Sequence, residues 1–386
     1  MSCRPRVALC LEYPLGLRGG VSVIAEELIL GLGDEFDFIL ASPDDPAELA
    51  SHPAGARLSA HVDVSLDERE RDKLPAQLGA AGAQVVHFHA GGAYGWGNCW
   101  PVASLPEQCA KAGMKTLWTD HLVIDTFDGY VAGSRPMLAR LRNFPFVLSG
   151  KRRQMEAVDL EIAVSDHDRR VLAKRYFKSQ AGLRRIYHSR LDEAEEPATV
   201  PRRNEILQVG HIAFRKGQHV LAAAFAGVAS QFSDWKLILA GHDSGDGCWQ
   251  AIQKIVADEG LKDRVEMLGA VSDVAPLQYS ASIYVQPSLH EALGLAVQEA
   301  VFRGCPAIGT RAGGIPEVIE EGVTGYLVSP DDAPAMAEAL CKLIHDPGLR
   351  ASFGKAGKAS IVRKKMTRQG MLDAHRSLYR ELLDAR

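Results

Sequence analysis

Two glutamates interrupt an otherwise apolar stretch, LHEALGLAVQEAV at residues 289–301. They are Glu291 and Glu299, with Gly294 between them. A carboxylate taken out of water is costly unless something compensates it. The preceding IYVQPS reads as a strand, LHEA as a loop, and a helix is expected to start near Gly294. Glu291 then lies at a strand end. Gly294 and Leu295 lie at a helix N-terminus, which favours an anion. Glu299 lies roughly 8 Å further along the helix axis, at about 1.5 Å per residue. A nucleotide sugar has its parts in that order: sugar, diphosphate, ribose. Its hydroxyls would satisfy the carboxylates, and no buried cation would be needed. In the blander alternative Glu291 is an acid at a helix start and Glu299 a solvated or ion-paired helix residue. Two glutamates at this spacing are common by chance, so the spacing alone favours that alternative.

Two further loops could meet an anion. Gly19 and Gly20 follow the first strand and open a helix, where a backbone can approach a phosphate closely. A plain strand–helix turn explains a lone Gly-Gly better. Arg215 and Lys216, in HIAFRKGQ after the strand EILQVG, sit where a pyrophosphate would lie. Basic surface turns are also common, so this loop alone leaves both readings even. His87 and His89 share one strand face. No third ligand is spaced to join them as a metal site, and packing or a place near an acceptor is the better expectation. Residues 135–153, RPMLARLRNFPFVLSGKRR, mix basic and large apolar residues without an acid. Attraction to an anionic membrane surface or an acidic acceptor stands level there with simple packing, since Pro136, Pro145 and Gly150 spoil a clean helix.

These loops need strands and helices to hold them. RVALCLEYP, DFILAS, QVVHFHA, KTLWTDH and LEIAVSD read as short strands, with helices at GVSVIAEELILGLG, 106–112 and 168–176 between them. The alternation restarts with EILQVG, WKLILAG, RVEMLGAV, IYVQPS and CPAIGT and their intervening helices. Such alternation argues a parallel sheet covered on both faces, twice over. Residues 189–204, SRLDEAEEPATVPRRN, carry charge and two prolines without an apolar period, and read as a linker. The domains are therefore expected at 1–188 and 205–366. In the last stretch, 367–383, Met371, Leu372, His375, Leu378, Tyr379 and Leu382 share a helix face. In open parallel sheets ligands bind at the carboxyl ends of the strands. Two sheets could aim those ends into one cleft, a geometry suited to two substrates.

A chain of 386 residues is longer than one core usually serves, and its net charge of −4 argues against a nucleic-acid partner. No apolar run reaches membrane-span length. Seven scattered cysteines without a CxxC pair suggest a reducing, cytoplasmic setting and no zinc site.

Residues 287–328, PSLHEALGLAVQEAVFRGCPAIGTRAGGIPEVIEEGVTGYLV, closely resemble the signature region of glycosyltransferase family 4. The E-x7-E motif falls on Glu291 and Glu299. VGHIAFRKGQHVLAAAF resembles the family's phosphate loop and RVEMLGAV the strand near its base pocket. GGVSVIAEEL and WTDH fit more loosely. The resemblance implies the GT-B fold, two Rossmann-like domains facing a central cleft, with the C-terminal helix at 367–386 crossing back to the first domain. It implies a retaining, hexosyltransferase-like enzyme that moves a sugar from a UDP-, GDP- or ADP-sugar to an acceptor hydroxyl in glycan, polysaccharide or glycolipid synthesis, without a cofactor. The acceptor would be a sugar, a lipid-linked molecule or another hydroxyl compound, and residues 135–153 would allow peripheral contact with the inner membrane face.

Carried over by position, Glu291 would contact the transferred sugar, and Leu293, Gly294 and Leu295 the donor, with the backbone of Gly294 and Leu295 on the diphosphate. Glu299 would hold the ribose, and Lys216 with Arg215 would neutralise the diphosphate. Gly19 and Gly20 would close over it, Val271 would lie by the base, and His121 would stand near the reacting carbon. His211 replaces an arginine usual after VG, with Arg215 in the same loop to substitute. His188 and Ser189 replace the usual Asn-Gly near the domain crossing, and Ala-Leu-Gly follows Glu291 where an aromatic precedes the glycine. A non-catalytic nucleotide-sugar-binding protein, or a GT-B phosphorylase or epimerase, is the alternative.

Overall fold

The computed structural model divides the chain into two compact units, residues 1–190 with 368–386, and residues 191–367. It describes residues 4–16, 19–64, 73–90, 104–123, 149, 151–175, 179–195 and 200–385. Most of the basic stretch 135–153 thus lies outside the described residues.

Unit 1 is built on seven parallel strands. They are β1 (Arg6–Leu11), β2 (Asp37–Ser42), β3 (Leu58–Asp63), β4 (Val85–Ala90), β5 (Lys115–Asp120), β6 (Leu160–Ala163) and β7 (Leu183–Arg185). Their order is β3-β2-β1-β4-β5-β6-β7. The strands that lie inside the sheet are almost wholly buried, which explains their unbroken apolar runs. Helices α1 (Gly20–Leu32), α2 (Pro46–Ser51), α3 (Leu74–Ala80), α4 (Leu105–Lys111) and α5 (Asp166–Arg175) connect them.

Unit 2 repeats the plan with six parallel strands. These are β8 (Arg203–Val209), β9 (Lys236–Ala240), β10 (Val265–Gly269), β11 (Ala281–Gln286), β12 (Ala307–Thr310) and β13 (Gly325–Val328), in the order β10-β9-β8-β11-β12-β13. Its helices are α6 (Gln218–Ala229), α7 (Cys248–Asp258), α8 (Ala275–Ser280), α9 (Leu295–Phe302), α10 (Ile315–Val318), α11 (Ala333–His345) and α12 (Pro347–Arg363). Both sheets are therefore Rossmann-like, as expected. β8 begins at Arg203, so the end of the stretch read as linker is already strand.

The last helix, α13 (Arg368–Asp384), belongs to unit 1. Met371, Leu372, His375, Leu378, Tyr379 and Leu382 are all buried, as the helical period predicts. Their apolar members join Ile24, Leu28 and Phe36 in one core cluster. At about 1.5–3 kcal/mol for each large apolar side chain, that face contributes on the order of 10 kcal/mol before ordering entropy is subtracted. Charged pairs fringe it: Arg368 with Glu27, Arg376 and Arg380 with Glu35, and Arg184 with Glu381.

Candidate functional site

In unit 2 the strand order reverses between β8 and β11. Chains leaving those two strands turn to opposite sides, which opens a crevice at their carboxyl ends. The loop after β8 carries His211, Arg215 and Lys216, and the loop after β11 carries Glu291. The topology thus brings together residues that are 75 positions apart.

Lys216 Nζ lies 2.6 Å from Glu291 Oε2, with side chains 18% and 11% exposed, so the pair is largely shielded from solvent. Ser288 Oγ donates to the same carboxylate oxygen at 3.1 Å and Gln286 Nε2 at 3.3 Å. Tyr284 OH donates to Gln286 Oε1 at 3.0 Å, and Thr310 Oγ1 to the Ser288 carbonyl at 2.6 Å. Burial raises the Glu291 carboxyl pKa, but the charges of Lys216 and Arg215 and the hydrogen bonds from Lys216 and Ser288 outweigh it, and the pKa ends below the ordinary value. Glu291 is an anion held in a fixed pose.

The nucleotide-sugar reading called for no buried cation at either glutamate, and here the structure corrects it; the ion-paired alternative for Glu299 fits. Glu291 has Lys216, and Glu299 Oε2 lies 3.7 Å from Arg303 Nη1. Lys216 could pair because the three-residue turn Phe214–Lys216 points it across the strand ends. Arg303 is one helical turn beyond Glu299, the spacing at which opposite charges meet. That spacing was visible in the sequence. So was the alternation Tyr284, Gln286, Ser288 on one face of β11, which supplies the hydrogen bonds beneath Glu291.

Gly294 caps α9 with φ 91°, a left-handed conformation that glycine adopts without strain. Leu293 is buried behind it and Leu295 opens the helix, half-buried. The first N–H groups of α9 have no acceptor within the helix and no side-chain cap, so they are available to an anion. Gly313, in the turn after β12, has φ 53°, and a Cβ there would lie 1.5 Å from the Glu291 carbonyl oxygen. The Gly314 N–H donates to that carbonyl at 3.2 Å. The AGG turn therefore clamps the Glu291 loop from behind.

Arg215 Nη1 donates to the His290 carbonyl at 2.9 Å, which ties the two loops together. The rings of His211 and His242 lie tilted against each other with centroids 3.9 Å apart. Burial, then His242, Lys216 and Arg215, lower its pKa, so near neutral pH it is an uncharged hydrogen-bonding group. Val271 follows β10, half-buried.

In unit 1, Gly19 is the N-cap of α1 and Gly20 its first residue. His121 follows β5 and its Nε2 lies 2.9 Å from His89 Nδ1. His87 bonds the Tyr379 hydroxyl at 2.8 Å and Thr119 Oγ1 at 2.7 Å. His188 and His375 complete a string of five rings: His188 lies 4.9 Å from His121 and 5.8 Å from His375, which lies 5.8 Å from His87. His87 and His89 are thus packed into a polar core under α13. Desolvation holds all five pKa values below the ordinary range, His121 at about 3 and His375 at about 4. Sequence reasoning tied only two of them together, because the others come from β5, the 183–190 segment and α13.

On the other face of β5, Lys151 is buried and bonds Asp120 at 3.1 Å and Glu161 at 2.7 Å. Arg153 bonds Glu107 at 2.9 Å and Arg152 pairs with Glu156. The basic end of the stretch 135–153 therefore pairs with acids of unit 1, which favours packing over surface attraction for residues 151–153.

Residues 189–360 match the family model described as Glycosyl transferases group 1, a stretch that nearly coincides with unit 2. A curated relative is the N-acetyl-alpha-D-glucosaminyl L-malate synthase of Bacillus anthracis, 34% identical over 172 residues, 44% of each chain. The chain thus aligns with less than half the length of that relative. Among solved structures, a glycosyltransferase from Rickettsia africae superposes with a TM-score of 0.76 at 19% identity, covering 99% of this chain and 100% of the other. HepE of Anabaena, solved in complex with UDP, superposes with a TM-score of 0.75 at 17% identity, covering 98% and 100%. The fold of the two units is that of these glycosyltransferase structures.

Proposed function

We propose that this chain is a retaining glycosyltransferase of the family 4 type, which moves a hexosyl group from a nucleotide sugar to an acceptor hydroxyl in glycan or glycolipid synthesis. The observation that carries the reading is the Lys216–Glu291 pair, 2.6 Å apart, beside the uncapped start of α9 at a strand-order reversal. A cation and helix N–H groups suit a diphosphate. A fixed carboxylate beside them suits the hydroxyls of the sugar that diphosphate carries.

In this reading Lys216 and Arg215 take the diphosphate charge, and Gly294 and Leu295 donate backbone N–H groups to it. Leu293 backs the turn, His211 adds a neutral hydrogen-bonding group, Glu299 meets the ribose and Val271 lies by the base. The acceptor oxygen bonds to the anomeric carbon on the face from which the diphosphate leaves. The carbon–oxygen bond to the diphosphate breaks, and the acceptor proton passes to the leaving phosphate oxygen. Catalysis then rests on positioning and on stabilising the charge that builds on the leaving group. From unit 1, His121, Gly19 and Gly20 are assigned to the same reaction. The solved complex of HepE with UDP makes UDP-sugars the first donors to test. We assign the protein to the cytoplasm; among the described residues no helix is long and apolar enough to cross a membrane. Peripheral membrane contact would fall to residues 135–148, and equal sedimentation with anionic and neutral vesicles would end that part of the proposal.

A thermal-shift screen of nucleotide sugars identifies the donor, since a ligand that binds only the folded state raises the melting temperature. Transfer to candidate acceptors follows. Lys216→Ala and Glu291→Ala are each expected to lower turnover by about two or more orders of magnitude, as loss of a charge-stabilising group does. Both should melt as cooperative folded proteins. Near-normal transfer by either variant refutes the assignment. Tight donor binding with neither transfer nor slow donor hydrolysis would instead identify a binding protein.

A further inference from the structure

At the opposite edge of the unit 2 sheet, two adjoining cavities of about 380 and 330 Å³ share Arg202, Gly304, Gly354 and Lys355 in their walls. They open where the chain enters β8, β11 and β12: Arg202 precedes β8, Ser282 is the second residue of β11 and Pro306 precedes β12. Strands of this length rise about 3.3 Å per residue, which puts the cavities roughly 20 Å from the Lys216–Glu291 pair.

Their charge is lopsided. Among the described residues Arg202, Arg303, Arg350, Lys355 and Lys358 line them, against one lining carboxylate, Glu195. Glu195 is already taken: Arg303 grips it at 2.7 and 3.2 Å, and the Tyr279 hydroxyl donates to it at 2.7 Å. Two acids stand close by. Asp346 caps α12, and Asp234 accepts from Asn204. No carboxylate among the described residues pairs with Arg202 or Lys355. Arg202 donates to three backbone carbonyls, Gln278 at 3.2 Å, Arg303 at 2.8 Å, and Ala281, and meets the Cys305 thiol. Its guanidinium is therefore held in a fixed pose, with no carboxylate among the described residues set against it. Lys358 spans the Phe302 ring and the Glu195 carbonyl, which fixes it at the rim of the same space.

We infer that these cavities form a second anion site, distinct from the crevice at the carboxyl ends, that takes a phosphate monoester or diphosphate group. A preoriented arginine with two lysines suits the oxygens of a phosphate, the arginine through the N–H groups its carbonyl partners leave over and the lysines as point charges. The phosphate arrives either on a small soluble molecule or on a lipid headgroup.

Calorimetric titration of the full chain with inorganic pyrophosphate tests this, in a Lys216→Ala background so that the carboxyl-end crevice is silenced. Binding should persist in that background. It should weaken by about tenfold or more in Arg202→Gln, the effect of losing one charged hydrogen bond. Because Arg202 also holds three carbonyls, the pair Lys355→Gln/Lys358→Gln provides a second variant that touches less structure and should weaken binding likewise. Vesicles of phosphatidylcholine with and without phosphatidic acid form the lipid arm. Retention on phosphatidic acid that the lysine pair abolishes assigns the phosphate to a headgroup, and pyrophosphate binding without retention assigns it to a soluble ligand. Loss of all binding in Lys216→Ala alone, or binding and retention indifferent to Arg202, Lys355 and Lys358, overturns the inference.

Discussion

Mild acid should unfold unit 1 before unit 2. The perturbation is a fall in pH from about 7 to about 5, and its target is the string His87, His89, His121, His188 and His375. Burial is the largest cause of depression for each, and their mutual proximity adds to it. His121 is pulled down to about 3 and His375 to about 4. In the unfolded chain each would titrate near its ordinary value of about 6.5. The sign follows from linkage. As pH falls through about 6.5 the unfolded chain takes up protons that the folded unit refuses, so stability falls, and goes on falling until the folded values are reached. Each such group contributes a slope of about 1.4 kcal/mol per pH unit.

Glu161 acts the other way. Burial raises it to about 8, so between about 8 and 4.5 the folded unit holds a proton that the unfolded chain gives up, and acid favours the fold there. Asp120 is held below its ordinary range by Lys151 against the effect of burial, and Lys151 stays charged, so neither changes across this window. Five histidines against one glutamate leave a net of about four protons. The slope is then about 5 kcal/mol per pH unit below about pH 6, against a typical domain stability of about 5–15 kcal/mol. Urea unfolding at stepped pH measures it. A brief thiol-labelling pulse reports the exposure of buried Cys10 and Cys109 in unit 1 separately from Cys248 and Cys305 in unit 2. If the unit 1 stability changes by less than about 1.4 kcal/mol between about pH 6 and 5, the worth of one histidine, the reasoning is refuted.

Replacing Lys151 by Met would leave the buried Asp120 carboxylate without its cation, at an expected loss of about 3–5 kcal/mol in urea titration. Glu161→Gln should be close to neutral at pH 7, since Glu161 is protonated there; equal losses for the two variants would argue against that proton. Gly313→Ala should lower the melting temperature by the equivalent of about 2 kcal/mol or more and weaken donor binding, because its Cβ meets the Glu291 carbonyl in a left-handed backbone. Gly79→Ala in α3, with open space around it, is the control expected to match or slightly exceed the parent stability. Arg303→Ala strips the cation from both Glu195 and Glu299 and should destabilise unit 2 by about 2–4 kcal/mol in the same urea assay; a change within about 0.5 kcal/mol would mean that the pairs are solvated.

The parts of the fold that were legible are those in which burial writes the sequence. β1, β4, β5, β8, β9, β11 and β12 lie inside their sheets and show as apolar runs. The strands that escaped reading, β3, β7 and β13, are edge strands, half-exposed or very short, with no such run. Helices α11 and α12 also escaped, although the signals DAP and DPG stand in the sequence: Asp332 and Asp346 cap them, each with a proline at the start. At the candidate site the sequence pointed to the loops after β8 and β11 but not to who pairs with whom. Glu299 and Arg303 share a helix, so their pairing was accessible from spacing. Lys216 and Glu291 meet only because the strand order reverses between β8 and β11, and no local pattern encodes that.

That reversal bears on how a donor would be received. In the structure Lys216 and Glu291 compensate each other, so neither is an unpaired charge in a partly buried crevice. A diphosphate carries more negative charge than one carboxylate, and under the proposed function it competes for Lys216. Once Lys216 turns to the phosphate, Glu291 keeps Ser288 and Gln286 as donors beneath it and gains the sugar hydroxyls in place of the ammonium. The ion pair is then not a rival to the functional reading of the two glutamates but its resting form. Under the proposed function it would hold Glu291 ionised and aimed before the donor binds, and the phosphate would release it. A sugar without a diphosphate has nothing to offer Lys216, and for that reason free hexose should bind far more weakly than its nucleotide form, by more than the loss of base and ribose contacts alone.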